Sequence, residues 1–244
     1  PDTEVSLDAA LTGCSNITAM TIREDVVYLA ADGACVLACS LDGMLLWKQE
    51  APAIDRFFPA QDGRLLAWAR QEQSLYLLED GAIRRLCALP DLFCTGIEQL
   101  YPGGQTPYDC IVCANDAFFG WSIDAEAVTQ LFTCDAVGLY AGDILDFCSL
   151  GNDRYLGLEW APSASGEPGC TLFWLTPVEG KLPEKRTIRV AGFRSSIFSM
   201  AVRDFSALYP EYQVEFVDYE AQYGEQADQQ LLMDLLYGQS PDLL

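Results

Sequence analysis

Thirty-six carboxylates and not one histidine set the chemistry open to this chain. Histidine is the side chain that titrates near neutrality. Its absence removes the commonest general base, the Ser-His-Asp and Cys-His nucleophile arrangements, and every His-containing metal site. Carboxylate chemistry remains, in which an acid and a base about 5–9 Å apart flank a glycosidic bond. The acids near strand starts or ends, Asp55, Glu98, Asp143 and Asp146, are the candidates for such a pair. Abundance alone does not make a site, because this many acids bring some two of them together in any fold.

Ten cysteines are the second chemical resource. Cys110 and Cys113 in "YDCIVCAND" have the spacing of half a zinc knuckle. They lie in an apolar, strand-like run, where residues three apart point to opposite faces, and no second such pair exists. The ten are therefore read as free cysteines used as small buried hydrophobes, in a reducing or anaerobic setting. No cofactor or metal is expected.

The net charge of −22 and pI near 4.1 speak against nucleic acid and against anionic membrane surfaces as partners. Half the residues are apolar, enough for a real core. No run approaches the length of a membrane span. The sequence opens on "PDTEVSLDAAL" with neither Met nor a signal peptide, so an export signal removed upstream fits it.

The elements that must carry these residues repeat. Four units of about 40 residues begin at Ile17, Ile54, Ile97 and Ile144. Each runs as an apolar strand, a turn, and a second strand ("VVYLAA", "LLAWAR", "CIVCA", "YLGLEW"). A third strand ("CVLACS", "LYLLE", "FFGWSI", "TLFWLT"), a tight turn and a closing strand follow. Asp42-Gly43 and Asp80-Gly81 sit between apolar runs, the signal of a type I′ hairpin turn. Four short antiparallel strands per repeat predict propeller blades, with a β-sandwich as the competing arrangement. The five tryptophans, Trp47, Trp68, Trp121, Trp160 and Trp174, are expected in the blade cores. The strand-like stretch Val5–Leu11 could pair with the last blade.

After residue 185 the pattern changes. "RTIRVAGFRSSIFSMAVRDFSALYPEYQVEF" reads strand, helix, strand, with Ile197, Ala201, Phe205 and Leu208 on one helical face and Ser195 or Ser196 as N-cap. A second helix follows, with Ala227, Leu231, Leu232 and Leu235 inward and Gly238 as its stop. The "SPDLL" ending reads as the entry to a further strand. Residues 176–185, with Pro, Gly and charge, read as a linker. The expected fold is thus mainly β: a propeller-like array of about four four-stranded antiparallel blades over 1–184, then a partial α/β (βαβα) segment over 185–244, the truncated start of a second domain.

Two resemblances add to this. "SLDGMLLW" resembles the Asp-Gly…Trp turn of quinoprotein-type and related propeller repeats, and implies the fold alone. The last quarter of the chain resembles the start of an extracellular solute-binding protein of an ABC importer. Val190–Gly192, Phe205, Pro210, Tyr212, Val214, Gly238 and Pro241-Asp242-Leu243 carry that resemblance. It implies an exported, lipid-anchored or periplasmic receptor for a small polar solute or glycan, working with an ABC permease. It also implies that Gly192, Phe193, Arg194, Ser195 and Ser196 line the ligand cleft, where a helix N-terminus offers unpaired N–H groups. On this reading the chain is a binding module and not an enzyme. The alternatives are a propeller glycosidase built on the acids above, and a structural or protein-interaction scaffold.

Overall fold

The computed structural model describes residues 11, 13–79, 81–90, 93, 99–160, 169–177, 185–191, 201–202, 204–206, 208–209, 211–239 and 241–243. Strands β1 (Ile17–Arg23), β2 (Val26–Ala31), β3 (Cys35–Ser40) and β4 (Leu45–Glu50) form one sheet in chain order. A second holds β5 (Arg56–Pro59), β6 (Leu65–Ala69), β7 (Ser74–Glu79) and β8 (Ala82–Ala88). A third holds β9 (Gln99–Pro102), β10 (Cys110–Ala114), β11 (Ala117–Ser122) and β12 (Ala127–Thr133). The fourth holds β13 (Ile144–Gly151), β14 (Arg154–Trp160) and β15 (Cys170–Leu175). The fold is mainly β, with four antiparallel sheets following the four repeats as propeller blades.

The turns explain why each repeat folds back on itself. Glu24-Asp25, Asn115-Asp116 and Asn152-Asp153 all have positive φ at both positions. That is the type I′ geometry, whose twist matches paired strands, and Asn and Asp tolerate it best after glycine. The expected type I′ turn at Asp42-Gly43 is corrected. Only Gly43 has positive φ, Gly43 N–H bonds Ser40 C=O at 3.0 Å, and the β3–β4 register slips beside it. The loop is a three-residue turn closed by a bulge, because an extra residue separates the strands.

The chain divides into two compact units, Pro1–Asn115 with Phe119–Thr129 and Cys148–Asn152, and Asp116–Phe118 with Gln130–Phe147 and Asp153–Leu244. In the first unit, sheets one and two pack face to face. Ala30 and Val36 of the one meet Ile54, Phe57, Leu65, Ala67 and Ile83 of the other. The opening strands lie side by side. Thr18 Oγ1 donates to Ile54 C=O at 2.9 Å just before β5, and the Arg56 guanidinium of β5 stands 5.2 Å over the Tyr101 ring of β9. The middle strands β6 and β10 are buried along their whole length, which is why they read as unbroken apolar runs.

The second unit centres on aromatic rings. Phe147 is buried, with Phe118 at 4.6 Å, Tyr155 at 5.2 Å and Phe173 at 6.3 Å between ring centroids. One short helix, α1 (Cys134–Val137), directly follows β12. Further along, β16 (Arg186–Ala191) pairs in parallel with β17 (Tyr212–Val217). Leu243 adds a parallel bridge to Val190, and Ala191 N–H bonds Leu243 C=O at 2.9 Å. Residues 201–202, 204–206 and 208 are helical, and Ala201 and Phe205 face Ile188, Val190 and Val214 across a small apolar cavity. Helices α2 (Tyr219–Tyr223) and α3 (Ala227–Leu236) follow. The expected strand–helix–strand–helix segment is thus seen as a parallel pair with short helical pieces, and not as a complete unit.

Several expected core positions are corrected. Trp68 and Trp121 are buried, but Trp160 and Trp174 are exposed. Among the described residues the fourth sheet has three strands, so β15, which carries Trp174, is an edge strand. Of the stretch expected to pair with the last blade, residues 5–10 lie outside the described residues. On the helices, Leu208, Leu232 and Leu235 point outward, while Ala227 and Leu231 pack on Ala191, Val217 and Tyr219. The expected apolar stripe is wider than the buried one, since a two-stranded sheet covers less of a helix than a full sheet does. Gly238 has φ +69° and stops α3 as expected, with Gln239 N–H reaching Asp234 C=O at 2.8 Å.

Tyr219 gives a pH test of this second unit. Its hydroxyl donates to Asp234 Oδ2 at 2.7 Å. Burial first, and then that bond, push its pKa up to about 12. The neutral phenol is favoured by folding, so its stabilisation is fully present below the unfolded value of 10 and is lost as pH rises through about 12. Tyr219→Phe is expected to flatten the alkaline stability profile in that window. A profile unchanged by the substitution, measured by denaturant unfolding at stepped pH, contradicts the contact.

Candidate functional site

The binding loop expected from sequence, Gly192, Phe193, Arg194, Ser195 and Ser196, lies outside the described residues, as does Glu98. Two of the other acids spend an oxygen on nearby backbone. Asp55 Oδ2 accepts Arg70 N–H at 2.7 Å and Asp146 Oδ1 accepts Phe147 N–H at 3.0 Å. Asp143 closes a 3-10 turn that opens at Ala141. Among the described residues no group of three His, Cys, Asp or Glu is placed to hold a metal ion. Cys110 and Cys113 are both buried within β10.

Among the described residues, a polar concavity lies in the first unit, where turns of sheets one and two meet. It is a cleft of about 370 Å³. Arg23 and Glu24 reach it from the β1–β2 turn, and Tyr28 from β2. Asp62 and Arg64 come from the β5–β6 turn and Glu79 from the end of β7, over a floor of leucines that includes Leu65 and Leu77. The β5–β6 turn is fixed by its own backbone. Gly63 N–H bonds Ala60 C=O at 3.0 Å, Gly63 has φ +84°, and Asp62 Oδ1 accepts Arg64 N–H at 2.9 Å. That bond holds the Asp62 carboxyl below the usual carboxylate range, so Asp62 is an anion here.

The two arginines differ in how firmly they are held. Arg64 is gripped by Asp62 (Nε–Oδ2 2.5 Å) and by Asp124 (Nη2–Oδ2 2.8 Å), and the Asp124 bond raises its already high pKa. Arg23 has one long contact, 3.5 Å from Nη2 to Glu24 Oε1, and Glu24 is largely exposed. A pair of that length at the surface contributes little and exchanges readily with solvent or ligand. Glu79 is paired with Arg84 at 3.2 Å. The cleft therefore offers a loosely committed guanidinium, a phenol and carboxylates above an apolar base. Such a surface can hydrogen-bond hydroxyls and take an anionic group at Arg23. In the sequence, Arg23-Glu24-Asp25 and Gln61-Asp62-Gly63 read as turns, not as ligand groups. Recurrence of charged residues beside corresponding turns of adjacent repeats was the signal available.

The class defined so far is a mainly β repeat protein with propeller-type sheets. No family model matches the chain, and no curated protein matches it. Among solved structures it is similar to virginiamycin B lyase from Staphylococcus aureus, at 14% identity and TM-score 0.42, over 64% of this chain and 55% of that one. It is similar to a streptogramin B lyase at 10% identity and TM-score 0.45, over 66% and 55%. BamB from Moraxella catarrhalis matches at 14% identity and TM-score 0.41, over 64% and 42%. The chain thus spans about half the length of these structures. The expectation that it is no enzyme is corrected, because two of these similar structures are lyases. Acidity and missing histidine were too coarse a ground for that exclusion, since many catalytic groups are neither. At these identities no activity transfers. Among the described residues no helix is long and apolar enough to cross a membrane.

Proposed function

We propose that this chain recognises a small polar solute, of the carbohydrate class, through the cleft on its first two sheets. The observation that carries the reading is Arg23, a cation held by one 3.5 Å contact, lining the same cleft as Tyr28 and the leucines. A sugar presents hydroxyls to the rim and C–H faces to the base, and an anionic sugar adds a partner for Arg23. The segment 185–244 is proposed as a separate α/β domain of the solute-receptor type, beside a propeller domain over 1–184. The parallel β16–β17 pair supports that division. An extracytoplasmic role linked to ABC import rests on the same resemblance.

The test is a glycan array carrying neutral and uronic-acid oligosaccharides, followed by calorimetry on any hit. Arg23→Met is expected to weaken binding by about tenfold to a hundredfold, the usual worth of a charge-assisted contact. Binding indifferent to both Arg23→Met and Tyr28→Phe, or no saccharide bound at all, removes the proposal.

A further inference from the structure

A second cluster in the first unit is independent of the cleft. The short segment before β1 is pinned to the β2–β3 turn by Asp32. Asp32 Oδ1 accepts Ser15 N–H and Asn16 N–H, each at 2.9 Å, and the Ser15 hydroxyl at 2.8 Å. Asp32 N–H in return bonds Asn16 C=O at 2.8 Å. These bonds hold the Asp32 carboxyl below its ordinary range and fix where Cys14 stands. Cys35 opens β3 just beyond that turn, and its thiol donates to Ala31 C=O at 3.6 Å. Both rest, half-buried, against Val27, Leu29, Ala31 and Leu37. Lys48 arrives from β4, on the face of the sheet that Cys35 shares, because Cys35 pairs with Glu50 and Lys48 is two residues away. Its Nζ donates to Cys14 Sγ at 3.5 Å.

We propose that Cys14 and Cys35 are a reversible redox pair, joined by exchange with a low-molecular-weight disulfide and assisted by Lys48. In the first step the Cys14 thiolate attacks one sulfur of the small disulfide RSSR. A Cys14–S–S–R bond forms and RS⁻ leaves with the electron pair. The Cys35 thiolate then attacks Cys14 Sγ, forming the Cys14–Cys35 disulfide and releasing the second RS⁻. The two protein protons end on the two thiolates, so two protein thiols and RSSR give one protein disulfide and two RSH. Burial pushes the Cys35 thiol up, and the Lys48 cation pulls against that shift. Lys48 offers its cation to whichever thiolate forms. The neighbouring Cys39 is buried beneath this surface, and burial pushes its thiol up as well. The physical consequence of the bond is a covalent clasp between the segment before β1 and β3.

The experiment uses oxidised glutathione as the disulfide, the intact chain, and non-reducing tryptic peptide mapping. The expected product is a linked peptide pair, residues 1–23 with 24–48, that has lost two hydrogens, with fragmentation placing the bond at Cys14 and Cys35. Exposed Cys148 and Cys170 report ordinary mixed-disulfide formation in the same sample. Lys48→Met, whose corresponding tryptic peptide is 24–56, is expected to slow the link about threefold, because the thiolate lost with the cation is partly offset by the greater nucleophilicity of a more basic thiolate, while leaving the rates at Cys148 and Cys170 unchanged. A Cys14 that stops at the glutathione adduct, a bond from Cys14 to Cys39, or an unslowed Lys48→Met variant each overturns the proposal. The wild-type map needs no substitution, so a misfolded variant does not decide it.

Discussion

Gly103→Ala is expected to lower stability by about 3 kcal/mol, at the upper end of what an added methyl costs in a packed site. A Cβ on Gly103 would stand 1.8 Å from the Tyr108 carbonyl oxygen, 2.8 Å from its carbon and 2.9 Å from the Asp109 carbonyl carbon. All three are backbone atoms, so no rotamer change clears the space. The loop cannot simply swing away. Gly103 N–H bonds Asp109 C=O at 3.0 Å, while Gly103 C=O accepts both Thr106 N–H at 3.1 Å and the Thr106 hydroxyl at 2.8 Å. Asp109 is itself tied on two sides, its carboxylate accepting Ile123 N–H at 2.8 Å and Gln61 N–H at 3.1 Å. Relief of one overlap therefore breaks several bonds at once. Gly138→Ala is the matched control. Its Cβ meets nothing within 4 Å, but φ is +70°, so only the left-handed penalty of about 1 kcal/mol applies. Urea midpoints measured for both variants decide the matter. Equal losses at the two positions contradict the close approach at Gly103.

Phe147→Ala is expected to cost about 4 kcal/mol, the range of a fully buried phenylalanine emptied to a cavity. Phe147 is 2% exposed, and the four rings around it come from β11, β12, β14 and β15. Removing the central ring strips contacts from all of them together, and the stacked partner Tyr155, 5.2 Å away, loses its face contact. Phe147→Leu keeps most of the volume and should cost about 1.5 kcal/mol or less. The readout is the denaturation midpoint, together with the near-UV signal that packed aromatic rings give. A Phe147→Ala protein that keeps the near-UV signal and midpoint of the parent refutes the ring cluster as the core of this unit.

Both effects bear on how much was legible beforehand. The second and third strands of every repeat fall close to where alternation and β-branched runs placed them. "VVYLAA" and "CVLACS" coincide with β2 and β3 residue for residue. Turn chemistry placed Arg23-Glu24-Asp25 and Gly151-Asn152-Asp153 correctly as turns. Both are local properties, decided within about ten residues by sterics and by which face is apolar. The Asp-Gly turn went astray because the same dipeptide serves a two-residue turn and a bulged three-residue one. Which of these forms depends on register with the partner strand. The tryptophans of the fourth repeat went astray for a similar reason. Trp174 alternates as a core residue should, but burial requires something on the far side of the strand.

By itself, then, the amino-acid order determined the number of repeats, the second and third strands within them and the change to parallel pairing after residue 185. Each follows from hydrophobic period and turn residues read along the chain. Only the tertiary structure decided which charged side chains share a space. Arg23 and Arg64 are about forty residues apart, one repeat length, and adjacent sheets bring them to one cleft. Lys48 reaches Cys14 because β4 returns beside the start of the sheet, and no spacing rule relates residues 14 and 48. Periodicity fixes which face a residue occupies, whereas proximity between distant residues is set by how sheets stack, and the energy of that stacking is spread over the whole core.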